Sequence, residues 1–225
     1  MSHVVFFDGI IARVVCGHDA SLQMAGDVTV ECLFKNDISS QPSTSYIALL
    51  QKGISSIAGG EYSLWMEMST RNPYFWVRKP DNSVSNQVHN NTIPSPINRN
   101  KWYHVAAVHS GNNMYMYVNG MLVGSSAPGY SGQFVANNDL ELFSGVDKYY
   151  VGLGANARIY NRALSDAEIH YNYDHPNNPI KRGLVLNMTQ ESIQGPKWVD
   201  LSGNGNDGVY TGGAIPQLAN LVTQR

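Results

Sequence analysis

Asn100-Lys-Trp-Tyr-His-Val-Ala-Ala-Val-His-Ser-Gly-Asn-Asn-Met-Tyr-Met-Tyr-Val-Asn-Gly120 decides the fold class of this chain. Two runs of strand-forming residues flank Gly111-Asn112, and a second turn signal, Asn119-Gly120, leads into Met121-Leu122-Val123. Alternation along both runs has the period of a strand with one face buried. Asn-Gly is the strongest short hairpin signal, because both turn positions must take positive φ. The segment therefore predicts an antiparallel meander of three strands. Met114, Met116 and Val118 share its inner face, while Tyr115 and Tyr117 point out.

The same pattern recurs on either side. Strands are expected near 3–7, 11–15, 27–35, 45–51, 61–68, 73–79 and 84–89, then 101–109, 113–119, 121–126, 139–143 and 149–160. Turn clusters such as Gly59-Gly60, Lys79-Pro-Asp-Asn82 and Pro128-Gly129 separate them. Regular short strands of this kind make an all-β, two-sheet antiparallel jelly-roll sandwich. One helix is expected near 165–173: Ser165-Asp-Ala-Glu168 is a capping box, and Pro176 closes the segment. The division is a sandwich over 1–178 and an extension over 179–225. The extension is too small for a core of its own, so it adds strands to the sandwich or reaches a neighbouring subunit.

Composition narrows the function classes. A net charge of −2 with 14% charged residues, and no run of like charge, argues against nucleic-acid binding. The N-terminal stretch lacks a basic region, and Asp8 and Arg13 interrupt it, so no secretion signal is expected. No stretch approaches the ~20 apolar residues of a membrane span, so no membrane insertion is expected. Cys16 and Cys32 are expected as reduced core residues, since a lone pair is no disulfide framework.

Several segments together resemble the laminin-G-like, concanavalin A-like lectin/glucanase superfamily. Phe7-Asp8-Gly9 is similar to its opening motif, and Val28-Thr-Val-Glu-Cys-Leu-Phe34 to its first long core strand. Trp102-Tyr-His-Val-Ala106 with Tyr117-Val-Asn-Gly120 resembles its central hairpin. Ala157-Arg-Ile-Tyr-Asn-Arg-Ala-Leu-Ser-Asp-Ala-Glu-Ile169 resembles its closing strand and helix. The resemblance covers roughly residues 5–172 and implies a jelly roll used as a carbohydrate- or protein-binding module. Two features depart from it. Ala155-Asn156 stands where relatives often carry an acidic pair, and Asp200-Leu-Ser-Gly-Asn-Gly-Asn-Asp-Gly208, usually near the start of such modules, follows the helix here.

The Glu-x-Asp-x-x-Glu run of the superfamily's glucanases is missing from the chain. Asp139 and Glu141 are the nearest acids, on one strand face about 7 Å apart, with no third acid at the needed interval. Catalysis is therefore not expected. Relatives hold Ca²⁺ on loop oxygens, and a hard cation takes about six or more such ligands. Asp8, Asp37, Asn206 and Asp207 are loop oxygens of that type, equally suited to plain turn chemistry. His104 and His109 lie five apart on opposite strand faces and cannot share a metal.

The outward strand positions carry the binding expectation. Trp65, Tyr74 and Trp76 point away from the core, as do Tyr115 and Tyr117. Placed on neighbouring strands, the five form one aromatic sheet face that either stacks on sugar rings or a protein partner, or is covered by the extension. The expected function is a non-catalytic lectin-like module on a phage or viral particle, as a capsid decoration, head-fibre or tail-associated protein. It would be made in a host cytoplasm without a signal peptide and bind glycans or neighbouring subunits. The alternatives are an extracellular location, a polysaccharide hydrolase or lyase of the same fold, and a purely structural protein.

Overall fold

The computed structural model describes residues 2–36, 46–53, 61–83, 85–89, 97–98, 100–143 and 150–219. In chain order the strands are β1 Ser2–Asp8, β2 Arg13–Val15, β3 Val28–Asn36, β4 Tyr46–Lys52, β5 Tyr62–Glu67 and β6 Pro73–Arg78. They continue with β7 Ser85–His89, β8 Trp102–Ser110, β9 Asn113–Val118, β10 Met121–Ser126, β11 Leu140–Leu142 and β12 Val151–Tyr160. After the helix α1, Asp166–Asp174, come β13 Leu184–Met188, β14 Ile193–Gln194, β15 Lys197–Trp198, β16 Gly208–Thr211 and β17 Ile215–Ala219.

These strands form two antiparallel sheets. Sheet A runs β10-β9-β8-β3-β12-β1-β17, and β13 pairs the second half of the long β12 while β1 pairs its first half. Sheet B runs β14-β15-β16-β2-β11-β4-β5-β6-β7. The sandwich expected from strand spacing is the observed architecture. Its core is the pair of inner faces: Val30, Cys32 and Phe34 from sheet A meet Leu64, Met66 and Phe75 from sheet B. Cys16 and Cys32 are both free and buried, and burial pushes their thiols above the ordinary range.

The meander from Trp102 to Ser126 follows its sequence. Ser110 pairs with Asn113 around Gly111 at φ +53, and Val118 pairs with Met121 around Asn119 at +49 and Gly120 at +76. Two positive φ values make the second a type I′ turn, whose twist matches the strands it joins. A side chain at Gly120 would also meet α1, since its Cβ would lie 2.9 Å from His170 Nδ1. Met114, Met116 and Val118 enter the core as the alternation requires.

The helix forms at its capping box, with Ser165 Oγ accepting from the Glu168 N–H and the Glu168 carboxylate accepting from the Ser165 N–H. It packs on the outer face of sheet A, where Leu164 and Ile169 cover Ala106, Val108, Tyr117, Tyr160 and Leu184. Beneath it lies a buried polar network. Glu31 on β3 meets Arg158 Nη1 at 3.5 Å, accepts from Asn172 Nδ2 at 3.0 and 3.1 Å, and has His104 at 3.8 Å. Arg158 also donates to Asn187 Oδ1 at 3.2 Å and to the Pro176 carbonyl. Burial alone would raise the Glu31 pKa, but His104, Arg158 and Asn172 outweigh it and hold the carboxylate below its ordinary range.

The extension adds strands in cis. Its described part supplies β13 and β17 to sheet A and β14, β15 and β16 to sheet B. Trp198 anchors it, fully buried, stacked 6.2 Å from Phe143, with its indole N–H donating to the Thr189 carbonyl at 2.8 Å.

Candidate functional site

The five aromatics expected on one face lie on two. Trp65 on β5 and Tyr74 and Trp76 on β6 point out from sheet B, whereas Tyr115 and Tyr117 on β9 point out from sheet A. Alternation tells which side of a strand meets the core, and the expected neighbourhood of these strands was wrong because the chain changes sheets between β7 and β8. Tyr117 is no open surface residue. It is buried beneath the start of α1, with its hydroxyl donating to Asp166 Oδ1 at 2.6 Å, and burial with that carboxylate raises its pKa. Tyr115 is half-buried beside it.

The outer face of sheet B is built from two cross-strand rows. The first runs Glu141–Gln51–Ser63–Trp76–Gln87, and the second Ala48–Trp65–Tyr74–His89. Tyr46 joins the second row, its ring 5.7 Å from Trp65 and 5.8 Å from Tyr74, and Tyr74 stacks on His89 at 4.9 Å. The Arg78 guanidinium lies over the Trp76 ring at 5.2 Å. Both indoles are consequently more than nine-tenths buried, so the accessible rings are the half-buried Tyr46, Tyr74 and His89.

Beside these rings the first row holds polar atoms that nothing satisfies. Among the described residues, Gln51 Oε1, Ser63 Oγ and Glu141 Oε2 are buried without a hydrogen-bond partner. Each such group costs about 1–3 kcal/mol against a satisfied one. Burial pushes the Glu141 carboxyl above its ordinary range, with Asp139 adding to the rise and Arg13, 3.7 Å away, opposing it. Aromatic edges next to orphaned donors and acceptors suit a ligand with both apolar faces and hydroxyls.

Strand periodicity could have added Tyr46, Gln51 and Ser63, since their strands were legible, but which strands lie side by side was not. The ion pair of Lys52 Nζ with Glu61 Oε1, 2.9 Å apart and fully buried, left no signal in the sequence. Of the two acids weighed for catalysis, only Asp139 has a hydrogen-bonded partner among the described residues, since Glu141 keeps Oε2 without one. Asp139 Oδ1 lies 2.7 Å from His18 Nδ1, and Glu141 faces Arg13.

The loop oxygens weighed for a cation are not brought together. Asp8 Oδ1 accepts the N–H groups of Ile10, Ile11 and Ala12 at 2.8, 3.3 and 3.1 Å, which outweigh its burial and lower its pKa. Asn206 donates to Ser21 Oγ and the Val185 carbonyl, and Asp207 accepts the Asp200 N–H at 3.0 Å and faces Lys197 at 3.3 Å. Asp207 and Gly213, the glycine beside Asp8, flank opposite ends of the four-residue β16. The strand between them alone spans roughly 13 Å at ~3.3 Å per residue, too far for one ion. Asp37 lies outside the described residues. Among the described residues no three His, Cys, Asp or Glu side chains are grouped to hold a metal.

The chain belongs to the concanavalin A-like lectin/glucanases superfamily, whose sequence pattern matches residues 11–170. Many solved structures share its fold, and two of them are similar over nearly the whole of this chain. One is a protein from Bacteroides ovatus described as carbohydrate-binding, 17% identical, with a TM-score of 0.68 over 96% of this chain and 60% of that one. This chain thus spans less than two thirds of that protein. The other is a native heptameric SAP-like pentraxin from Limulus polyphemus, 15% identical, with a TM-score of 0.66 over 99% and 98% of the two chains. No curated protein matches the chain by sequence.

Proposed function

We propose that the chain is a non-catalytic lectin-like module that binds a glycan on the outer face of sheet B. The observation that carries the reading is the juxtaposition of the orphaned Gln51 Oε1, Ser63 Oγ and Glu141 Oε2 with the Tyr46, Tyr74 and Trp76 rings. The apolar face of a sugar ring would lie against the half-buried Tyr74, and its hydroxyls would complete the covered Gln51, Ser63 and Glu141 atoms once side chains over them part. The Bacteroides ovatus neighbour, described as carbohydrate-binding on the same fold, supports the class of ligand. The engagement of Asp139 by His18 and the lack of a third acid at the needed interval after Glu141 support binding without hydrolysis. Ca²⁺ has no part in this reading. The setting we propose is a virion surface, where such a module would meet host glycans. Capsid or tail genes beside its gene are expected, and a polysaccharide-utilisation cluster would overturn that setting.

A glycan array followed by calorimetric titration of the best ligand tests the binding reading. Tyr74→Ala and Gln51→Leu should each weaken binding about tenfold, the equivalent of 1.4 kcal/mol. Tyr115→Ala, on the opposite sheet, should leave it unchanged. Absence of binding to every glycan, or a loss confined to Tyr115→Ala, would overturn the assignment.

A further inference from the structure

Lys52 and Glu61 are buried charges that the glycan-binding face does not use. Lys52 closes β4, paired with Tyr62 of β5 and Leu140 of β11, and both charged side chains are 0% exposed. Taking two ions out of water is costly, and a well-packed apolar pair would serve the fold as well or better. Lysine is also a nucleophile once it loses its proton.

The third member of the cluster is Asn138, half-buried in the segment that leads into β11. Lys52 Nζ donates to its main-chain carbonyl at 2.7 Å. Glu61 Oε1 is shared: it lies 2.9 Å from Nζ and accepts from Asn138 Nδ2 at 3.3 Å. One carboxylate oxygen thus touches both an amine and a carboxamide nitrogen. Burial pushes the Glu61 carboxyl above its ordinary range, against the pull of Lys52, the Ala136 N–H and Asn138. A carboxylate raised in this way is the better proton acceptor for a neighbouring ammonium.

We propose that Lys52 Nζ and Asn138 Cγ join in an intramolecular isopeptide bond, with Glu61 as the proton carrier. Glu61 takes one proton from the Nζ ammonium, and the neutral amine attacks the side-chain carbonyl carbon of Asn138. The Nζ–Cγ bond forms and the Cγ–Nδ2 bond breaks, with Glu61 handing its proton to Nδ2. Nζ gives up a second proton by the same route, so the nitrogen leaves as ammonium and Glu61 ends as it began. Nothing is oxidised or reduced, and no co-reactant is needed. The step takes Nζ from the main-chain carbonyl to the side-chain carbon of the same residue, a turn of the lysine's last torsions. Groups held together in this way react as though at very high concentration. Glu61 itself is a poor acyl donor, because its carboxylate carries no leaving group until an oxygen is activated. The bond would tie β4 to the lead-in of β11 across a sequence separation of 86, in a protein whose two cysteines are free. A closure of that length stabilises chiefly by constraining the unfolded chain. None of the three residues belongs to the two rows of the outer face of sheet B, so the bond stands independently of glycan binding.

Intact mass spectrometry of the denatured full chain tests this, with tandem sequencing of a tryptic digest as the deciding arm. The wild type should weigh one ammonia less than its sequence, and the digest should contain a branched peptide joining Lys52 to Asn138. Lys52→Arg, Asn138→Ala and Glu61→Gln should each keep the full mass of their own sequence and yield no branch. Glu61→Gln retains both reacting groups, so a full mass there assigns the proton carriage to Glu61. The wild-type measurement decides by itself should a variant fail to fold. A wild type at the full mass of its sequence, ammonia lost without the branched peptide, water lost in place of ammonia, or a branch that survives in Glu61→Gln would each overturn the proposal.

Discussion

Arg158→Met is the substitution with the largest consequence for this fold. The guanidinium is 1% exposed and serves Glu31 at 3.5 Å, Asn187 Oδ1 at 3.2 Å and the Pro176 carbonyl. Methionine fills a similar volume without charge. The Pro176 carbonyl keeps a donor in Asn156 Nδ2 at 2.9 Å, so its loss is small. Glu31 is different: at 1% exposure it retains Asn172 and His104 but loses its arginine. Removing one partner of a buried ion pair costs about 3–5 kcal/mol, which in a chain of this size lowers Tm by roughly 6–20 °C. Urea unfolding followed by tryptophan fluorescence at neutral pH measures it directly. The double variant Glu31→Leu/Arg158→Met should recover about half or more of the loss, because the uncompensated charge is gone. A single-variant cost below about 1 kcal/mol, or strict additivity in the double, would refute the idea that this pair seats the helix.

Glu31 also makes stability depend on acid. Its folded pKa lies below the ordinary value, so its stabilisation is fully present above the unfolded value of about 4.3 and is lost as pH falls through the folded one. Unfolding free energy should decline below about pH 4 in the wild type and decline less in Glu31→Gln; parallel curves would contradict this assignment. Trp198→Ala should cost about 3–5 kcal/mol, by loss of a fully buried indole and the cavity left behind. Two-state urea unfolding with a single midpoint would show the extension melting with the sandwich, while a separate early transition would show it to be a loose appendage.

What the sequence determined by itself is local. Gly111 and Asn119-Gly120 demand turns because few other residues accept their backbone angles, and Ser165 with Glu168 starts a helix because each satisfies the other's free N–H. The two-residue alternation placed Met114, Met116 and Val118 inside and Tyr115 and Tyr117 outside. Alternation is a property of one strand and says nothing of which strand lies beside it. Only the tertiary structure put Trp65 and Tyr115 on opposite sheets, buried Trp76 under Arg78, and spent Tyr117 on Asp166. It alone set Glu31, Arg158 and Asn172 together from β3, β12 and α1, and set Asp8 and Asp207 apart at the two ends of β16. The order of strands across a sheet arises from contacts between residues far apart in the chain, and the candidate site depends on that order.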